Sequence, residues 1–145
     1  MPSSSSNETI ALKWFSAFNE HNLENLLALY DENAQHFSPK LKIRIPETEG
    51  FLTGKASLRT WWKDAFTRLP QLHYKLGKLT ANEQRVFMEY NRQVPGEEDL
   101  MVAEVLEIND DKINSSRVLS WINKRQNLEY LFVINLLFRI NIIPK

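Results

Sequence analysis

Two pairs of side chains carry the chemistry this sequence can offer. His36 and Ser38 close the stretch LLALYDENAQHFSP, residues 26–39, two positions apart, which puts both on one face of an extended segment. An imidazole there can move a proton near neutral pH, and the serine, with no nucleophile elbow or triad around it, can hold a ligand by hydrogen bonding. The second pair is Glu104 and Arg117. Leu106, Ile108 and Ile113 mark the apolar face of a hairpin turned at Asp110 and Asp111, and period-two alternation puts Glu104 on that face with Val102. A two-residue turn would set Arg117 directly opposite Glu104. Either the two form a cross-strand ion pair that satisfies an interior carboxylate, or Glu104 is a general acid or base and Arg117 polarises a substrate oxygen.

The remaining candidates are weaker. Trp14, Phe18, Tyr30, Trp61, Trp62 and Phe66 recur on predicted helices, where aromatic stripes fill volume, and one or two of them can line an apolar pocket. Trp14, Tyr30 and Trp62 are the expected wall residues. Glu89 and Asn91 share a strand face that points either into the pocket or to solvent. His21 and His73 do not combine with His36 into a metal-ligand spacing, and the four glycines are too scattered for a phosphate loop. No metal and no nucleotide cofactor are expected.

The elements that must position these groups follow from the periodicity. Ser5 and Glu8 have the form of a capping box, and Ile10, Trp14 and Phe18 recur every four residues, predicting a first helix over about Ser6 to Asn19 after a disordered start at 1–7. Asn22 caps a second helix whose face is Leu23, Leu26, Leu27 and Tyr30, and a short strand follows at Ala34 to Ser38. Lys40 to Glu49 reads as an edge strand or a long loop because of Pro46. Gly54 and Lys55 open a third helix, stopped by Pro70.

From there the period becomes two. Leu72, Tyr74 and Leu76 face Val86, Met88 and Tyr90 across a turn at Asn82 and Glu83, which requires an odd number of loop residues or a bulge. Met101 to Asn109 and Ile113 to Ser120 complete an antiparallel meander. Residues 121–145, INKRQNLEYLFVINLLFRINIIPK in their greater part, are apolar without a clean period. Arg139, Asn135 and Asn141 interrupt them, which argues against a membrane span. They read as an added helix or strand covering an apolar face, or as an extension outside the domain.

A chain of 145 residues, 43% hydrophobic and 25% charged, suits one domain with its own core. Eighteen basic and eighteen acidic side chains cancel, so no long-range field gathers nucleic acid or an anionic membrane. The absence of cysteine and of a secretory signal at MPSSSSNE suggests a cytoplasmic protein.

Two amphipathic helices, a short strand, a third helix after a glycine and a meander ending in EVLEINDDKINSSRV together resemble the SnoaL-like branch of the NTF2-like superfamily over about residues 8–120. The resemblance implies an α+β cone: three N-terminal helices close a strongly curved antiparallel sheet around a pocket, often in a homodimer formed through the outer face of the sheet. It also implies a small apolar or cyclic ligand and, in enzymes, isomerase, cyclase or hydratase chemistry without a cofactor. In the ketosteroid isomerases of that superfamily the proton-abstracting aspartate falls where this chain has Ser38, a hydrogen-bonding tyrosine where it has Trp14, and a second acid at Glu104. A serine does not replace that base, so steroid isomerisation is not expected. The alternative is a non-catalytic dimeric binding or accessory domain.

Overall fold

The computed structural model describes residues 3–123, with 120–123 described by their backbone alone. The apolar stretch expected to pack on the domain lies outside the described residues beyond its first three positions. Helix α1 (Ser4–Asn19) starts earlier than the expected box at Ser5 and Glu8, because Ser3 is the cap: its side chain accepts from the Ser6 amide. Ser4 to Asn7 are therefore helical, where a disordered start was expected. Asn7 is fully buried, and its Nδ2 donates to the Asn82 carbonyl at 2.8 Å, fastening the helix start to a distant strand turn.

Asn22 caps α2 (Leu23–Ala28) as its position predicts, accepting from the Asn25 amide. The chain then extends at once into β1 (Tyr30–Phe37), so Tyr30 opens the strand and is no part of the helix face. Lys40 to Glu49 is neither an edge strand nor a long loop. Ser38 caps a short helix α3 (Pro39–Arg44), followed by one tight helical turn at Pro46–Thr48. Proline at the first helical position needs no amide partner and has its φ already set, so Pro39 starts a helix here. Strand β2 (Phe51–Thr53), which periodicity does not indicate, pairs with β1, and α4 (Lys55–Arg68) buries Leu58 and Trp62.

Strands β3 (His73–Ala81), β4 (Arg85–Gln93), β5 (Leu100–Asn109) and β6 (Lys112–Asn123) form the meander. The curved, unclosed sheet has the order β2-β1-β6-β5-β4-β3, with β1 parallel to β6. The expected bulge sits at Gly77, where Leu76 pairs with Tyr90 and Lys78 with Glu89. It switches the parity of β3, so that Tyr74 and Leu76 pack inward on one side of it and Leu79 and Ala81 on the other. The four helices cover the concave face, and the core lies between: Trp14, Phe15 and Phe18 of α1 meet Met88, Tyr90 and Leu106 of the sheet. No helix among the described residues is long and apolar enough to cross a membrane.

Candidate functional site

Between the helices and the inner face of the sheet lies a cavity of about 350 Å³, within the range of small-molecule sites. Trp14, Phe18, Trp61, Trp62, Tyr74 and Tyr90 supply its aromatic wall, and Val102 and Val118 add aliphatic surface. Glu104, His36 and Ser38 bring polar atoms to it from two places in the chain, β5 and the end of β1. All three are buried, Glu104 at 1% exposure and His36 at 5%.

Glu104 points inward because it alternates with Val102 and Leu106 on β5, both buried. The Tyr90 hydroxyl donates to its Oε2 at 2.6 Å, while Oε1 has no hydrogen-bond partner among the described residues. Burial pushes this carboxyl up to about 7, and the Tyr90 bond only partly restrains it. The phenols of Tyr74 and Tyr90 are pushed up in turn, first by burial and then by the neighbouring carboxylate, so they stay protonated donors. An interior carboxyl that changes charge near neutrality, with one oxygen unclaimed, can both take and return a proton.

The expected partner is absent. Asp110 and Asp111, at φ of 49° and 59°, make the tight turn their position suggests, and Ile108 pairs with Ile113 as a two-residue turn requires. Asn114 is then an extra residue: Glu107 pairs with Ser115, Val105 with Arg117, and Glu104 with Val118. One inserted residue turns the side chains that follow it, here Ser116, Arg117 and Val118, to the opposite face, until a second shift between Glu104 and Ala103. Arg117 consequently stands on the outer surface, its Nη2 2.9 Å from Glu107, and forms no ion pair with Glu104. Arg117 can neither satisfy Glu104 nor polarise a bound substrate.

The same insertion brings Ser116 inward, fully buried beside His36, its partner across β1 and β6. Trp14 Nε1 donates to the Tyr30 hydroxyl at 3.0 Å, Tyr30 donates to Ser116 Oγ at 3.1 Å, and Ser116 Oγ lies 2.8 Å from His36 Nδ1. Indole is a donor only, so the direction of this chain is fixed from its start. The arrangement that uses every buried hydrogen has Ser116 donating to Nδ1, which assigns the imidazole proton to Nε2. Burial holds the ring well below its ordinary range, at about 4, so His36 is neutral at physiological pH. A neutral imidazole fixed this way offers Nε2–H to the cavity as a hydrogen-bond donor.

Ser38 lines the cavity and caps α3, its Oγ accepting from the Lys40 amide at 3.2 Å. Trp14 and Trp62 stand in the wall as expected. Tyr30 does not line the cavity: it lies behind Trp62, ring centroids 4.9 Å apart, as a relay in the chain to His36. Glu89 and Asn91 are exposed on the outer face of β4 and do not line this cavity. Residues that sequence reasoning missed include Ser116, Lys40 and Arg92. Arg92 shares the parity of Val86, Met88 and Tyr90, so the alternation that placed those three inward also marked it.

Comparisons with known proteins agree with this architecture. The family model described as a SnoaL-like domain matches residues 11–116. A solved SnoaL-like protein of unknown function from Burkholderia thailandensis is 22% identical, with a TM-score of 0.75 over 85% of this chain and 100% of that one. An NTF2-like protein from Anabaena variabilis is 17% identical, with a TM-score of 0.67 over 85% of this chain and 94% of its own. A hypothetical protein from Catenulispora acidiphila with a ketosteroid isomerase-like fold, solved in complex with trimethylamine, is 17% identical with a TM-score of 0.61, covering 77% of this chain and 84% of that one. No curated protein matches the chain.

Proposed function

The chain belongs to the SnoaL-like domain family, and we propose that it binds a small apolar or cyclic molecule in the cavity and moves a proton on it through Glu104. The observation that carries this reading is a carboxyl at 1% exposure with an unclaimed oxygen, in the wall of a cavity to which six aromatic side chains contribute. His36 and Glu104 project from the same concave face with only β6 between their strands, about 10 Å across the sheet. Ionised Glu104 takes the proton from a carbon next to a carbonyl; the electron pair of that C–H bond becomes the carbon–carbon double bond of an enolate, and the carbonyl π pair moves onto its oxygen. His36 Nε2–H holds the oxygen as it gains charge. Glu104 then gives the proton to a conjugated carbon, which yields isomerisation, or trades it with solvent before protonating the original carbon, which yields exchange. Tyr90 supports the ionised form of the acid, and Ser38 hydrogen-bonds the ligand at its edge. A non-catalytic accessory domain, the competing reading, loses two of its supports: Glu104 has no ion pair with Arg117, and the interior is not filled.

A probe that needs no knowledge of the natural substrate is 2-tetralone, a bicyclic ketone whose α-protons exchange in heavy water. We expect the protein to speed that exchange above the buffer rate, as followed by proton NMR. Glu104→Gln should lower the enzymatic rate by about a hundredfold or more, with tetralone binding, read by tryptophan fluorescence, little changed. An E104Q variant that exchanges as fast as the parent would remove Glu104 from the mechanism.

A further inference from the structure

The exposed end of the cavity has a chemistry that proton transfer at Glu104 does not use. Lys40 and Arg44 of α3, Arg68 of α4 and Arg92 of β4 all line it, with Glu97 as the carboxylate at that end. The chain as a whole is neutral, with eighteen basic and eighteen acidic residues, so this gathering of four cations is local. Asp64, outside the lining, braces Arg68 at 2.7 Å and Arg44 at 3.4 Å, which fixes two of them around the opening.

Arg92 is the informative member. It is 8% exposed, buried by its inward parity on β4, and its Nη1 donates to Glu97 Oε2 at 2.9 Å. A guanidinium has five donors in a planar fork, and this single bond, to a half-exposed side chain, claims one of them among the described residues. Burying a cation is costly unless its donors are used. Lys40 feels the same crowding. Its ammonium is held down to about 8, first by burial and then by the charge of Arg92, with Glu97 opposing and Arg68 adding to the effect.

We propose that the ligand of this cavity is a cyclic carboxylic acid whose carboxylate seats on Arg92 at the exposed end, with its ring lying between Trp62 and Tyr74 toward Glu104. This rests on the small-molecule reading above and adds the substrate class to it. A carboxylate matches the guanidinium fork in two-bond geometry, which an alcohol or amide does not. Charge also sets the direction of entry. Ionised Glu104 at the inner wall repels an anionic group, while the cationic rim attracts it, so the ring and its reacting carbon are delivered inward.

The test compares 2-naphthoate with 2-naphthamide, matched in ring and differing in charge, by calorimetry on the full chain in low salt at neutral pH. Naphthoate is expected to bind about tenfold tighter than the amide. Arg92→Gln should erase that preference while leaving amide affinity within about twofold, and retained amide binding reports an intact fold. Should R92Q fail to fold, Arg68→Gln at the rim decides, with a smaller loss confined to the acid. Equal affinity for acid and amide in the parent, or an equal loss of both in the variants, would overturn the carboxylate while leaving the cavity reading in place. If neither naphthalene binds and tetralone exchange is also silent, the small-molecule reading falls and takes this one with it.

Discussion

His36 and Glu104 share one concave surface and respond to burial in opposite senses, which gives each a distinct signature in the pH dependence of stability. Glu104 titrates at about 7 in the folded chain against 4.5 for an ordinary glutamate. As pH rises through that interval the unfolded chain loses a proton that the folded chain keeps. The Glu104 contribution is therefore complete below 4.5 and lost by 7, a change of about 3 kcal/mol. His36 titrates at about 4 against 6.5, so the unfolded chain takes up a proton first as pH falls. Its contribution is complete above 6.5 and lost by 4, by a similar amount. Between 4.5 and 6.5 the two slopes offset one another in the parent protein. Glu104→Gln should unmask the His36 slope, so that stability relative to the parent rises with pH across this window by about 1.4 kcal/mol per unit. Urea unfolding of both proteins at a series of pH values measures it, and parallel curves would show that Glu104 does not carry the shift. Surface carboxylates titrate alike in the two proteins and cancel. The inward placement of Glu104 was legible from the alternation of one strand. Its isolation from Arg117 was not, because Asn114 carries no mark of a bulge and a single inserted residue reverses the faces of Ser116 and Arg117 that follow it. Arg92 was legible in principle, by the same parity that placed Tyr90.

At the scale of elements, the segments that shape the cavity are held by local devices. Gly77 is the bulge that lets β3 present Tyr74 to the cavity wall and still pack Leu79 inward. A Cβ there would meet the Glu89 carbonyl oxygen at 2.9 Å, a backbone atom that cannot swing aside. Gly77→Ala should therefore force β3 away from β4 and destabilise the domain by about 1–3 kcal/mol, seen as a lowered Tm with weaker binding of the naphthalene probes. An unchanged Tm would mean that the bulge can relax without glycine. The helices and the meander were readable because their periods run for many residues. Helix α3 was misread because KLKIRI alternates charge with aliphatic residues just as an edge strand does. Its deciding signal, serine before proline as cap and first helical residue, lies outside that alternation. Strand β2 has three residues, too few for any period. Both misreadings bear on function, since α3 carries Lys40 and Arg44 to the mouth of the cavity.

For the whole molecule, the sheet has two faces with different tasks. The concave one encloses the cavity. The convex one exposes Phe87, Met101 and Leu119 at 39%, 45% and 52%, on the three neighbouring strands β4, β5 and β6. Val105, opposite Phe87 but itself buried, and half-buried Ala103, opposite the exposed Glu89, lie between them. Around this patch Glu107 pairs with both Arg85 and Arg117. We propose that its partner is a second copy of the chain. A twofold contact apposes the face to itself, and a rim carrying both charge signs allows each arginine of one copy to meet a glutamate of the other. Arg117, absent from the cavity, acquires a place in that rim. Light scattering is expected to give a dimer, and Leu119→Arg, which sets a cation in the apolar patch, should shift it to monomer. Tetralone exchange should survive in L119R, because Leu119 and Glu104 stand on opposite faces of the sheet. A parent protein that is monomeric at micromolar concentration, or an L119R variant that remains dimeric, would exclude this face as the contact.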